Sequence, residues 1–427
     1  MVRRLCVGLL VVLFSLGTVE AQTTVKKPPA GKSDAPKTVG PHDYSSKNFV
    51  LHTDLSEDEA KELLTRLETM LKLISAYWGQ QNRQPIECYV VKSLDNWSAG
   101  AIDPVGLRSI QDGAGVTRTM KRSSGAAFVA KSIVYAVADR GTPQHEAVHA
   151  YCGQTFGTTG PLWYSEGMAE MGQYWKDDDR SVNCHPGVVK YIQSSEPKSL
   201  NAIVNANEIT GDSWENYAWR WALCHLLATN PNYAMRFRPL GIGMLTGQKV
   251  SFESVYGGMS KEISFEYLFF LKHFDLGYRA DLLGWDWKTK FKPVAGTVPI
   301  SAKIKGKGGW QATGGTVNAG TAYDYSADGQ WLFSKEAGEV DAEGAADGRG
   351  KLMGVLFDVS NYELGEPFEL GAFGEWTPES DGQLFVRGRE PWEEINDENS
   401  GQLTFKLKLK GKGTPLTDPK RGVRGKS

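Results

Sequence analysis

The sequence predicts an α+β protein with two folded parts, a mixed part followed by a part built of strands alone. Over residues 44–295, apolar residues recur at spacings of three and four, as helices require, and short β-branched runs interrupt them. Residues 296–427 make up less than a third of the chain but hold 23 of its 48 glycines. Alternating apolar residues there, such as Leu403, Phe405 and Leu407, predict a β-sandwich over 296–412.

The N-terminus has the features of an export signal. Two arginines precede the apolar run 5–16, and small residues lead up to Ala21. We therefore expect residues 1–21 to be a signal peptide, cleavage to follow Ala21, and the product to be secreted, periplasmic or on the cell surface. An apolar run of about twelve residues is shorter than the ~20 that cross a bilayer, so the mature chain should lack a transmembrane segment. Residues 22–43, rich in Lys, Pro and Thr, are expected to be a disordered linker.

The mixed part is expected to open with a strand over 48–55 and a long helix ending near Trp78. Ser56 and Glu59 have the spacing of a capping box, and Gly79 follows as a stop signal. A second strand is predicted over residues 86–91. The apolar stretch 126–138 predicts two strands broken near Lys131.

The segment HEAVH at 145–149 has the pattern H-E-x-x-H. On a helix, residues four apart lie one turn apart and ~40° around the axis, so His145 and His149 share a face. Both imidazoles can then reach one metal ion, with Glu146 placed to act on a water molecule there. This is the arrangement of zinc hydrolases. Pro143 suits the first turn of such a helix.

A catalytic zinc site also needs a third protein ligand. One known solution places a histidine six residues after the second ligand, but Thr155 stands there. The segment WYSEGMAE at 163–170 offers Glu166 and Glu170 on one helical face. We assign Glu166 to the metal and expect Glu170 to accept the free N–H of a ligand histidine. A thiolate ligand from Cys152 competes poorly, because it lies only three residues beyond His149.

Together, HEAVH and W-x-x-E-G-x-A-E resemble the gluzincin metallopeptidases, the thermolysin-like or peptidase MA-like superfamily. The resemblance covers 44–287 and implies a thermolysin-like zincin domain over 44–295. It implies Zn²⁺ held by His145, His149 and Glu166, with Glu146 as the general base. Thermolysin has an Asp where this chain has Glu170. In that fold an edge strand before the zinc helix pairs with extended substrate, and 132–138 is the corresponding stretch here.

The strongly apolar segment 213–227 predicts a helix. In related families a helix at this place begins with a tyrosine near the metal, which donates a hydrogen bond to the developing oxyanion. The resemblance assigns that part to Tyr217, and the other interpretation is a core tyrosine. His225 is an alternative donor, although it lies two turns further along and ~80° off the face of Tyr217.

Five segments of the strand-built part read WQATG at 310–314, ADGQW at 327–331, GKLMG at 350–354, GQLFV at 382–386 and NDENSG at 396–401. Together they resemble the galactophilic calcium-dependent lectins. In that family a loop of Asp and Asn before the last strand holds calcium and sugar. Asp397 and Asn399 lie in the corresponding loop, and hard oxygen ligands suit calcium. The usual Asn-Asp pair is replaced by Arg389 and Glu390. The basic segment 413–427 is expected to be a disordered tail.

Four cysteines lie beyond the predicted signal: Cys88, Cys152, Cys184 and Cys224. In an exported protein they permit two disulfides, with three possible connectivities. The net charge of −2 gives no electrostatic case for nucleic-acid binding.

The sequence therefore predicts an exported zinc-dependent metallopeptidase, in which Glu146 activates a zinc-bound water to hydrolyse a peptide or protein substrate. The alternative is an extracellular or cell-surface binding protein. Its C-terminal sandwich would bind a glycan or a protein, and its zincin-like domain would be non-catalytic.

Overall fold

The computed structural model describes residues 19–23, 40–124, 127–176, 179–205, 213–333, 335 and 338–419, and its mixture of helices and sheets confirms the α+β class. Most of the predicted signal (1–21), most of the linker (22–43) and half of the tail (413–427) lie outside the described residues. The chain divides into two compact units, one of Met1–Pro161 with Asp212–Trp214, the other of Leu162–Gly211 with Glu215–Ser427. The predicted domain boundaries remain predictions.

In its described residues, the first unit forms one six-stranded sheet and three α-helices. Its elements are β1 Val19–Thr23, β2 His42–Ser45, β3 Phe49–Thr53, α1 Glu57–Trp78, β4 Ile86–Val91, α2 Pro104–Gln111, β5 Gly115–Ser124, β6 Ala127–Val137 and α3 Thr142–Phe156. The strand order is β1-β5-β6-β4-β3-β2. Strands β3, β4 and β6 pair in parallel, and β5 pairs antiparallel with both β6 and β1.

Local signals placed α1 correctly. The Ser56 side chain accepts a hydrogen bond from the Glu59 backbone, the Glu59 carboxylate accepts one from the Ser56 backbone, and Gly79 ends the helix with φ of 72°. The capping box and the left-handed stop predicted from the sequence are thus confirmed.

Two predictions for the stretch 126–138 are wrong. The stretch forms the single strand Ala127–Val137, without a break at Lys131. The proposed edge 132–138 lies inside the sheet, because β5 covers its free side. Strand β5, which is not among the strands predicted from the sequence, is the next strand outward.

Helix α3 packs closely on the sheet. Every residue from Thr142 to Gln154 is buried. A Cβ on Gly153 would lie 2.4 Å from the Thr119 hydroxyl and 2.9 Å from that of Ser132, so only glycine fits there. The Gln154 side chain accepts a hydrogen bond of 3.0 Å from the backbone of Ser132, a residue in the middle of the sheet. These contacts fix where the helix lies over β5 and β6.

From residue 162 the chain forms helices and then strands. The helices are α4 Leu162–Tyr174, α5 Pro186–Ser194, α6 Leu200–Val204, α7 Trp214–Thr229, α8 Ala234–Leu245, α9 Phe252–Tyr256 and α10 Ser260–Lys272. The strands are β7 Lys292–Pro293, β8 Ile300–Lys305, β9 Gln311–Val317, β10 Tyr323–Leu332, β11 Glu339–Val340, β12 Leu352–Asp358, β13 Glu363–Leu364, β14 Phe368–Glu369, β15 Phe373–Trp376, β16 Gly382–Gly388 and β17 Ser400–Leu409. Among the described residues, no helix combines the length and apolar composition needed to cross a membrane.

The predicted β-sandwich is confirmed. One sheet has the order β11-β10-β17-β8, with β15 also on β10, and the other has the order β13-β12-β16-β9-β7, with β14 on β12. Residues from both sheets, including Ile304, Trp331, Leu384 and Phe405, form its buried core. A second aromatic cluster joins α10 to the sandwich: the Phe265 ring lies 5.0 Å from that of Phe357.

Candidate metal centre

The helix that carries the HEAVH segment begins at a well-defined cap. The Asp139 carboxylate accepts hydrogen bonds from the backbone of Gly141 at 2.9 Å and of Thr142 at 2.7 Å. Pro143 lies in the first turn, as predicted, where its missing N–H costs nothing. Gly157 ends the helix in the left-handed conformation, with φ of 80°.

The two histidines of the segment converge. The Nε2 atoms of His145 and His149 lie 3.2 Å apart, and both side chains are buried. Two nitrogens that each bond a tetrahedral zinc at 2.0–2.1 Å are separated by about 3.3 Å. The pair is therefore spaced as two zinc ligands would be.

Glu146 is fully buried, and its position is fixed by the neighbouring strand β5. The Thr117 hydroxyl oxygen lies 2.8 Å from the Glu146 Oε2 and 2.8 Å from its backbone oxygen. A Cβ on Gly115 would lie 2.6 Å from the Glu146 Cγ, so the missing side chain leaves room for the carboxylate. Neither Thr117 nor Gly115 is predicted as a functional residue from the sequence. The available signal was the β-branched residues Val116, Thr117 and Thr119 in one short run, which is typical of a strand.

One group of His, Cys, Asp or Glu side chains in the described part of the chain has the spacing to hold a metal ion. It consists of His145, His149 and Glu166, which are all buried, and their ligand atoms lie within 4.8 Å of one another. These are the three residues predicted as metal ligands. Two imidazoles and a carboxylate suit zinc and several other divalent ions. The donor set therefore fits a divalent metal ion but does not specify which one.

Helix α4, which carries Glu166, is held by close packing on α7. A Cβ on Gly167 would lie 2.4 Å from the Cys224 sulfur and 2.7 Å from the backbone oxygen of Arg220. The glycine next to the predicted ligand is therefore required for two helix backbones to approach each other.

The two residues expected to assist the centre lie on these same helices. The Glu170 carboxylate interacts with the Tyr174 hydroxyl, and burial together with this carboxylate raises the pKa of that tyrosine. Tyr217 is buried on α7, and the Arg220 guanidinium lies 5.6 Å from the centre of its ring. The roles assigned to Glu170 and Tyr217 remain predictions.

The other candidates from the sequence lie in apolar surroundings. The His225 ring is buried 5.1 Å from that of Trp221 and 6.1 Å from that of Phe270, and burial lowers its pKa to about 4. This is the environment of a neutral core histidine. Cys152 is a buried free thiol, and burial raises its pKa. The disulfides that the cysteine count permitted are not formed, because all four thiols are free.

The loop considered for calcium is occupied by ion pairs. The Asp397 carboxylate contacts the Arg279 guanidinium at 2.9 Å and the Lys307 amine at 2.6 Å. The Asn399 side chain accepts a hydrogen bond of 2.6 Å from the backbone of Asn396 and is buried. The oxygens on which a calcium site would depend thus already have partners within the protein.

Comparison with known proteins does not identify a family. No family model and no curated protein matches the sequence. Among solved structures, the chain is similar to a protein described as "EclA N-terminal domain; PllA-like lectin", with 18% sequence identity, over 27% of this chain and 98% of that chain, at a TM-score of 0.23. A likeness of this strength supports no statement about ligands or activity.

Proposed function

We propose that this protein is an exported zinc-dependent hydrolase of peptide bonds. The observation that carries the proposal is the pair of buried Nε2 atoms of His145 and His149, 3.2 Å apart, with the buried carboxylate of Glu146 on the intervening turn. Glu166 supplies the third ligand. The packing of a buried helix does not require two histidines and a glutamate, because leucine or alanine would fill the same space at lower desolvation cost.

Each residue then has a defined task. Zinc would supply a Lewis acid that makes water nucleophilic near neutral pH. Glu146 takes the proton from the attacking water and delivers it to the leaving amine. Thr117 holds the Glu146 carboxylate in one orientation through the 2.8 Å contact. Tyr217 is the proposed donor to the oxyanion that develops on the substrate carbonyl.

Metal content tests the ligand set. Purified mature protein, residues 22–427, is measured by plasma mass spectrometry, alone and as Glu166→Ala. We expect about one zinc per chain in the parent protein and loss of zinc in this variant, because two histidines alone bind zinc much more weakly. Glu379→Ala is the control, because it removes an exposed glutamate of the sandwich. A chain that takes up no zinc with excess metal refutes the proposal.

Turnover tests the base. Glu146→Gln has nearly the same size but cannot accept the proton, so we expect hydrolysis of a casein or peptide-library substrate to be abolished while zinc stays bound. Near-wild-type hydrolysis by this variant rules out Glu146 as the base. Zinc without any hydrolysis by the parent chain instead favours the binding-protein alternative, which a glycan array with the full chain then examines.

A further inference from the structure

Three exposed lysines share the outer face of the sandwich sheet that contains β8 and β17. Lys303 and Lys305 alternate along β8, and Lys406 lies on β17. In the register of these strands Lys303 is opposite Thr404, and Lys406 is opposite Ser301. Residues opposite each other point to the same face, and diagonal neighbours are ~7–8 Å apart. The three side chains are therefore neighbours on one surface, which we call the lysine face.

None of these three lysines forms an ion pair with an acidic side chain among the described residues. The neighbouring strand β10 contributes two acidic residues to the same surface. Asp324 already pairs with Lys408 at 3.4 Å. Asp328 is exposed and lies across β17 from Lys303. One available carboxylate beside three lysines leaves the lysine face with a net positive charge.

Protection of a sheet edge does not account for these lysines. Strand β8 lies at the edge of its sheet, and edge strands often carry lysine, which deters pairing with another chain. Here the Gln311 side chain already occupies the edge. It accepts a hydrogen bond of 2.8 Å from the Lys305 N–H and donates one of 2.9 Å to the Lys305 C=O. Lys406 lies on β17, which has a paired strand on both sides. The positive charge thus belongs to the face and not to the edge.

The sequence after the sandwich carries charge of the same sign. Residues 420–427 include Lys420, Arg421, Arg424 and Lys426 and no acidic residue, so they do not neutralise the lysine face. The whole chain has a net charge of −2, which shows that positive charge is concentrated in this part of it. Clusters of four to eight basic residues bind anionic lipid headgroups electrostatically. The lysine face and residues 420–427 together supply seven.

We propose that the lysine face binds the surface of a bilayer that contains anionic phospholipids. At the registers of the three lysines, the strands β8, β17 and β10 place no aromatic side chain on this surface. A sheet surface of this kind offers charge to phosphate headgroups, whereas a sugar site would need convergent polar groups in a concave pocket. Attachment is electrostatic and inserts no segment into the hydrocarbon. The inference does not depend on the peptidase proposal.

Vesicle flotation tests the proposal with the full mature chain, residues 22–427. Vesicles of phosphatidylcholine alone are compared with vesicles that also contain phosphatidylglycerol. We expect binding to the anionic vesicles only, and its loss in 0.5 M salt. Equal binding to both kinds of vesicle, or binding to neither, overturns the proposal. A chain that is retained on alginate, an anionic polysaccharide, but does not bind the anionic vesicles also overturns it and assigns the face to a polysaccharide.

Two triple variants with the same change in net charge locate the binding surface. The first combines Lys303→Gln, Lys305→Gln and Lys406→Gln, and it should weaken vesicle binding about fivefold per lysine, or about a hundredfold in total. The second is the control and makes the same change at three exposed lysines of the helical part, Lys190, Lys249 and Lys272. It should bind within about twofold of the parent. Equal loss of binding in the two variants would refute a specific lysine face.

Arginine at the same three positions separates charge from folding. The combined variant Lys303→Arg, Lys305→Arg and Lys406→Arg keeps all three positive charges, and we expect it to bind as the parent does. Scanning calorimetry of the arginine and glutamine variants checks that both have the Tm of the parent. If the arginine variant binds as weakly as the glutamine variant, positive charge is not what holds the vesicle, and the proposal fails.

Discussion

The hydroxyl of Thr117 lies 2.8 Å from the Oε2 of Glu146, although the two residues are separated by 29 positions in the chain. Thr117 belongs to strand β5, and Glu146 belongs to the helix that packs on it. The contact fixes the orientation of the proposed base relative to the two histidines that we propose as metal ligands.

Removal of this contact should impair turnover and spare metal binding. Thr117→Val keeps the branched shape but removes the donor, and a hydrogen bond to a charged group contributes about 1.5–3 kcal/mol. We expect kcat to fall by about ten- to a hundredfold with zinc content unchanged. Thr117→Ser retains the hydroxyl and should recover most of the rate. Equal kcat in the valine and serine variants would show that the contact does not orient the base.

Gly167 should be intolerant of even a methyl group. In an ordinary helix, Gly→Ala stabilises by about 1 kcal/mol. Here the new Cβ would meet the Cys224 sulfur at 2.4 Å and the Arg220 carbonyl oxygen at 2.7 Å. We expect Gly167→Ala to lower the free energy of unfolding by about 1–3 kcal/mol, as overpacked cores do, measured by urea denaturation.

A second substitution separates the two clashes of Gly167→Ala. Cys224→Ala removes the sulfur but not the carbonyl, so the double variant should regain only part of the loss. Gly258→Ala is the control, because a Cβ there meets nothing within 4 Å. A Gly167→Ala protein as stable as this control would contradict the close approach of the two helices.

Glu390 should make stability depend on pH. Burial raises the pKa of its carboxyl to about 7. The Arg349 guanidinium, 3.0 Å away, acts in the opposite direction and lowers this pKa, but burial has the larger effect. The folded chain therefore holds this proton more tightly than the unfolded chain, whose carboxyl titrates near its ordinary value of 4.5. The resulting stabilisation is complete below about pH 4.5 and is lost as the pH rises through about 7.

The corresponding variant is Glu390→Gln. In the parent protein, we expect the free energy of unfolding to fall by about 1 kcal/mol between pH 5 and pH 8, a value reduced for solvent screening. This fall should be absent in Glu390→Gln. The comparison is Glu394→Gln, which also pairs with Arg349 but is exposed. An unchanged pH profile in Glu390→Gln would assign the dependence to other groups.

The four cysteines should be inert in the native protein. All are buried free thiols, and burial raises the pKa of each, that of Cys184 to about 12. Because the thiolate is the reactive form, we expect Ellman's reagent to detect no thiol in native protein and four in guanidinium. An intact mass 4 Da below the fully reduced value would reveal two disulfides and contradict this arrangement.

Calcium should leave the sandwich unaffected. Asp397 already contacts Arg279 and Lys307, so an ion entering the loop would have to displace both cations. We expect the Tm of the full chain, measured by scanning calorimetry, to be the same in EGTA and in 5 mM calcium once zinc is held constant. A rise of several degrees in calcium would indicate a site in the described loop or elsewhere.

Features that depend on neighbours along the chain can be predicted from the sequence alone. Helix periodicity places His145 and His149 on one face whatever surrounds them, so their convergence followed from a spacing of four. The capping box of Ser56 and Glu59 is likewise complete within one turn. The alternation of apolar residues in 296–412 predicted a two-layer sandwich, because an alternating strand must bury one face.

Which distant segments meet depends on the complete fold. Whether a strand is an edge depends on what pairs beside it, and the edge predicted at 132–138 was wrong because Gly115–Ser124 pairs there. The contact of Thr117 with Glu146 likewise depends on strand order and helix packing. Such pairings are set by the burial of whole faces, and local patterns fix the face of a residue but not its partner.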